Sequence, residues 1–110
     1  MADTYKRLGA LAPANTTVAI LYTVPAVTVT IDSSIHICNL TSGEVAVDVA
    51  IVNDSGAPAT EDYILFNFPI PGRNAMKITA GHALPAAYTI QVKTYLADAI
   101  AFSASGVEKT

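Results

Sequence analysis

Val45-Ala46-Val47-Asp48-Val49-Ala50-Ile51-Val52 decides the fold class. β-Branched aliphatic residues stand at positions 45, 47, 49 and 51, with Ala, Asp and Ala between them. A period of two sends successive side chains to opposite faces of a strand, whereas a helix would need apolar residues three and four apart. Turn-forming clusters bound the run, Thr41-Ser42-Gly43 before it and Asn53-Asp54-Ser55-Gly56 after it. Upstream, Val18 to Thr23 reads as a strand closed by Val24-Pro25, and Val27, Val29 and Ile31 alternate with Thr28, Thr30 and Asp32 as a half-buried strand. Ile35 and Ile37 alternate with His36 and Cys38. This predicts a hairpin between Ile35–Asn39 and Glu44–Val52, with Gly43 at a positive φ. Downstream, Tyr63 to Phe68, Ala75 to Thr79, Tyr88 to Lys93 and Ile100 to Ala104 read as further strands. Pro69-Ile70-Pro71-Gly72-Arg73-Asn74 reads as a turn whose prolines exclude regular pairing. Helix is confined to one turn near Ala57–Glu61. Eight or nine short strands at roughly 8–12-residue spacing predict an all-β fold, an antiparallel β-sandwich (Ig-like or jelly-roll-like) of about eight strands.

The chain of 110 residues has room for one domain. It is 52% hydrophobic and 14% charged, against about 25% charged in an ordinary soluble domain. That balance excludes intrinsic disorder, which needs low hydrophobicity and high net charge. A net charge of −3 with six Lys and Arg argues against nucleic acid as a partner, because phosphate binding needs a dense basic patch. Cys38 is the single cysteine, so no internal disulfide forms, and a small buried thiol is its plainest role. Lys6-Arg7 precedes an apolar run, Leu8 to Ala12, too short for the core of a signal peptide. The uncharged stretch Leu8 to Ile31 contains Pro13 and Pro25 and alternates in its second half, so it reads as strands rather than a membrane span. No membrane partner is expected. Residues 1–13 read equally as an ordinary first strand or as an arm laid on a neighbouring subunit.

Few constellations carry chemistry. His36 and Cys38 leave the same strand face, and with His82 and Asp32 or Asp48 they are the one candidate metal set. The spacing is not diagnostic, and a strand face holding a thiol and a half-exposed histidine is the better reading. Asp48 interrupts an apolar run, and its neighbours on that face, Ala46 and Ala50, favour a contact surface over catalysis. Glu61-Asp62 with Asp54 does not space its acids as a calcium loop does, so a solvated loop is expected. Without Trp, a sugar would have only Tyr63, Tyr88 or Tyr95 to stack on. No nucleophile elbow, phosphate loop or dinucleotide fingerprint is present. Neither enzymatic activity nor a cofactor is expected.

The missing charge bears on what covers the outside. Val18–Tyr22, Val45–Val52 and Ala99–Ala104 carry small or apolar residues on both faces. Such faces left bare would invite edge pairing and aggregation, so coverage by other subunits is expected.

In this setting the whole chain resembles the short virion structural proteins of tailed bacteriophages. The resemblance runs through Tyr5-Lys6-Arg7-Leu8-Gly9, Leu21-Tyr22-Thr23-Val24-Pro25-Ala26, Ile37-Cys38-Asn39, Asp62-Tyr63, Phe102-Ser103 and Gly106-Val107-Glu108. Pro69-Ile70-Pro71-Gly72 departs from it by its prolines. The resemblance implies a virion location after assembly in the host cytoplasm, and a capsid decoration or cement protein binding the major capsid protein as a homo-oligomer, with a trimer favoured. A tail, neck, baseplate or fibre-base component is the alternative. The residues expected at the interface are Tyr5, Lys6, Arg7, Leu8, Pro69, Pro71 and Arg73.

Overall fold

The computed structural model describes residues 3–79 and 81–110, with the backbone alone for residues 3, 32 and 33. Among the described residues nine strands form: β1 (Asp3–Leu11), β2 (Ala19–Thr23), β3 (Val29–Asn39), β4 (Val45–Val52), β5 (Tyr63–Ile70), β6 (Ala75–Thr79), β7 (Ala83–Leu84), β8 (Thr89–Thr94) and β9 (Ile100–Lys109). The helical content among the described residues is one 3₁₀ turn, Thr60–Asp62, close to the place predicted. A large sheet runs β1-β9-β3-β6, with β7 also on β3, and a small sheet runs β2-β8-β4-β5. All pairings are antiparallel. Apart from β4–β5 and β6–β7, each connection crosses from one sheet to the other. Interleaved crossing of this kind is the double Greek key of a jelly roll, which resolves the predicted sandwich into one of its two forms.

The core lies between the sheets. Ile35, Ile37 and Phe102 from the large sheet meet Val47, Val49, Ile90 and Val92 from the small one, all essentially fully buried. Burying each such side chain contributes about 1.5–3 kcal/mol. At one edge the sheets nearly touch. A Cβ on Gly9 would lie 2.3 Å from the Leu21 carbonyl oxygen, so only glycine lets β1 close over β2 there. A register shift between Arg7 and Gly9 turns Leu8 inward at the same place.

Several sequence expectations change. The predicted hairpin of Ile35–Asn39 with Glu44–Val52 does not form, since β3 and β4 lie in different sheets. The reason sits in Asn39, whose buried side chain holds the corner where the chain crosses. Its Nδ2 donates to the carbonyls of Gly43 and Ile70, both at 2.9 Å, and its Oδ1 accepts from the Thr41 N–H at 2.9 Å and hydroxyl at 2.8 Å. Gly43 is not at positive φ; the described left-handed residues are Val27, Asn67, Arg73, Ala87 and Asp98. Pro69 does pair, opposite Ala46, because β5 is an edge strand and the missing N–H is not needed. Residues 3–11, read equally as an ordinary first strand or as an arm, form β1 and pair with the chain's own β9 from Asp3↔Lys109 to Leu11↔Phe102. Met1 and Ala2 lie outside the described residues.

The half-buried strand Val27–Asp32 is inverted. Thr30 is wholly buried while Val29 is 43% and Val27 90% exposed. The Thr30 hydroxyl meets the Tyr22 hydroxyl at 2.8 Å, and Tyr22 donates to Glu108, whose other oxygen lies 3.3 Å from Lys6 Nζ. This chain of polar groups ties β2 to β3, β9 and β1 across the sandwich, which explains why threonine and not valine points inward. Burial first, and then the Glu108 carboxylate, push the Tyr22 phenol up to about 12. The Tyr22 hydrogen bond and then Lys6 hold the Glu108 carboxyl below its ordinary value.

Candidate interaction surface

The two outer faces are finished differently. On the small sheet, Asp48, Ala50, Val52, Thr89 and Gln91 point away from the core and yet are buried. The cover is the chain's own segment 53–62. Thr89 Oγ1 donates to the Asp54 carbonyl at 2.7 Å, and Gln91 Nε2 to the Gly56 carbonyl at 2.8 Å. The second face of Val45–Val52, expected to be covered by other subunits, is therefore covered from within.

Asp48 has a structural post under this cover. Its Oδ1 accepts the Asn67 N–H at 2.7 Å and the Tyr95 hydroxyl at 3.0 Å. Asn67 is left-handed, with φ of 50°, in the irregular stretch of β5 between Leu65 and Phe68. A bulge of this kind re-aims its neighbours, and Phe66 stands 65% exposed beside it. Phe66 and Tyr63 pack edge to face with centroids 5.0 Å apart, and with Thr60 they border a hollow of about 420 Å³. Burial and then the Asp48 bond raise the Tyr95 phenol above its ordinary value. Lys93 Nζ sits 4.6 Å from the Tyr95 ring centroid, a cation–π contact on the same face.

Among the described residues the large sheet has no such cover. Its register lays the outer face out in five rungs: Asp3–Lys109–Val29, Tyr5–Val107–Ile31–Ala83, Arg7–Ser105–Ser34–Thr79, Ala10–Ser103–His36–Lys77, and Ala101–Cys38–Ala75. Asp3, in the rung farthest from the last, is the one carboxylate residue among them. A groove of about 400 Å³ runs over the last two rungs, with Ala10, Leu11, Ala101 and Phe102 in its floor and Arg7, His36, Cys38 and Ser103 around it. Arg7 and Lys77 form no ion pair among the described residues, where Lys6–Glu108 does. The surface can grip by flat contact, with cations able to take an acidic group.

The residues expected at the interface do not form one patch. Tyr5, 82% exposed, and Arg7 lie on this outer face. Lys6 faces the other way, to Glu108. Leu8 belongs to the core at 9% exposure, because the β1 bulge turns it inward, and so it is withdrawn from the surface set. Pro69, Pro71 and Arg73 are exposed at the passage from β5 to β6, on other strands from Tyr5 and Arg7. His36 and Cys38 do share the outer face, as their spacing requires, but no three His, Cys, Asp or Glu side chains gather into a metal-binding group among the described residues. The Asp32 side chain of that candidate set lies outside them. Sequence reasoning missed Phe66 as a surface residue; its one signal was the Asn67 that follows it, a residue tolerant of left-handed backbone.

Comparison with known proteins bears on the fold alone. No protein-family model matches the chain. No curated protein matches it by sequence. Its backbone is similar to a chain in the structure of infectious bursal disease virus, Gx strain, with a TM-score of 0.51 and 10% identity. The match covers 97% of this chain and 31% of the viral one, so this chain spans under a third of that chain's length. Jelly rolls serve viral capsids, lectins and cupins alike, so the fold does not choose among functions. Among the described residues no helix is long and apolar enough to cross a membrane.

Proposed function

We propose that this chain is a virion structural protein acting by contact, specifically a decoration or cement protein on the head of a tailed bacteriophage, bound to its major capsid protein. The observation that carries the reading is the outer face of the large sheet, which no described segment covers and which is made mostly of neutral residues, on a domain whose other face is covered by its own chain. The likeness of fold to a chain of a virus structure supports it. So does the scarcity of groups placed for catalysis: the one buried outer-face acid, Asp48, is engaged by Asn67 and Tyr95.

The mechanism is linkage. A protein that binds the assembled lattice and not its dissociated subunits stabilises the lattice by mass action, about 2.7 kcal/mol per site at a free concentration of 100 times the Kd. Many such contacts on one shell reinforce one another. Quantitative mass spectrometry of purified particles tests the assignment. Copy numbers on the order of the capsid subunits support it, and a dozen or fewer move the protein to the tail, neck, baseplate or fibre base. Absence from particles overturns it.

A further inference from the structure

We infer that the groove on the large sheet of one copy receives the Phe66 corner of a second copy, so that the chain associates with itself through unlike faces. The three rungs at and beside the groove carry two cations, Arg7 and Lys77, and no carboxylate, so an acidic partner complements them better than a second groove face does. Its complement lies elsewhere on the same chain. Glu61 and Asp62 lie in the turn Thr60–Asp62, whose Thr60 borders the same hollow as Phe66, the most exposed phenylalanine. The groove, about 400 Å³ with an apolar floor, has room for an aromatic ring, and Arg7 and His36 at its rim are placed to meet the flanking carboxylates. An aromatic anchor seated in an apolar pocket is a common centre of a binding hot spot, and complementary charge at its edge steers the approach. The anchor is also held in place: Asp48 fixes the backbone of Asn67, next to Phe66.

A contact of this type leaves each copy with one groove and one corner unused, so it closes into a ring or continues as a filament. The inference goes beyond the virion assignment and does not rest on it: the corner occupies the rungs under the groove, and a capsid contact falls to the rest of that face, the rung of Tyr5, Val107, Ile31 and Ala83 included. A self-associating chain absent from particles would sink only that assignment, and a monomeric chain bound to particles would sink only this inference.

Sedimentation velocity of the full chain, from micromolar to millimolar and in low and high salt, reads the association. Species larger than the monomer should grow with concentration and recede with salt. Arg7→Glu with Lys77→Glu should abolish association by making the groove face acidic. Thr60→Lys with Glu61→Lys should abolish it by making the corner basic. An equimolar mixture of the two should associate again, because each then offers the other a matched pair of faces, and this restoration requires both variants to be folded. Phe66→Ala should weaken association by about tenfold or more. A wild-type chain that stays monomeric to millimolar concentration, charge variants that associate like wild type, or a mixture that fails to associate would each overturn the inference.

Discussion

The outer faces of the two sheets are made of similar small residues and end in opposite states. On the small sheet, Ala50, Gln91 and Thr89 are buried under residues 53–62; on the large sheet, His36 is exposed and Ala101 and Ser103 are half-buried, with no described segment over them. Hydrogen bonding makes the difference. Thr89 and Gln91 offer partners to passing backbone, so a long loop can lie over them with its own polar groups satisfied. Ser103, Ala101 and Ala10 offer a smooth surface with little to hold a loop, and no segment of the described chain crosses it. A face poor in charge thus has two explanations that composition cannot separate: a cover supplied in cis, or a contact made in trans.

The comparison can be broken most severely from the covered side. Thr89→Val with Gln91→Leu removes the two side-chain bonds that clasp residues 53–62 and the bond between the two side chains, and should cost about 3 kcal/mol in denaturant unfolding at roughly 1 per bond. Hydrogen exchange should rise across 53–62 and not in the large sheet. Asp48→Ala should come next, at about 2 kcal/mol, since it strips the Asn67 N–H and the Tyr95 hydroxyl of their acceptor. Unfolding midpoints read both.

A third test acts on the tie between the sheets. The Tyr22 phenol is raised from 10.0 to about 12 in the folded chain. Between those values the unfolded chain loses its proton first, so stability present below pH 10 should fall as the pH rises toward 12, by up to about 1.4 kcal/mol per unit. Tyr22→Phe should flatten that decline. Glu108 works in the opposite direction: its contribution is present above the ordinary carboxylate value and is lost as the pH falls through its lowered one. The smallest effect belongs to the bare face, where Ser103→Ala or His36→Ala should move stability by less than about 0.5 kcal/mol. A larger loss would mean that the large sheet is covered after all.

These contrasts mark how far the sequence could be read. Period two in Val45–Val52 and Ile35–Cys38 located strands correctly, because there both the pattern and the burial follow the pleat. It failed at Val27, Val29 and Ile31, where valine was taken to face inward. The buried partner of Thr30 is Tyr22, a residue of the other sheet, and a local window holds no trace of that bond. The cover on β4 was equally hidden, since Thr89 and Gln91 reach Asp54 and Gly56 across 35 positions. Arg7 was recognised as a surface residue and Phe66 was not. Asn67 alone hinted at the bulge that exposes it, and nothing in the order of residues says that Asp48 will hold that bulge from a neighbouring strand.

The register shift in β3 between Asp32 and Ser34 has a consequence for how such a chain can change over generations. One extra residue there sets the two halves of a single strand out of phase, so Thr30 points inward on one side of it and Ile35 on the other. A one-residue deletion at this point would exchange faces for one half of the strand and leave the other half untouched. Val29 and Ile31 would pass inward, and Thr28 and Thr30 outward. The fold could persist with valine and isoleucine in the core, while the exposed end of the large sheet would turn from aliphatic to hydroxylic. A length change, with no substitution in the contact residues themselves, is then sufficient to alter which surfaces the protein accepts.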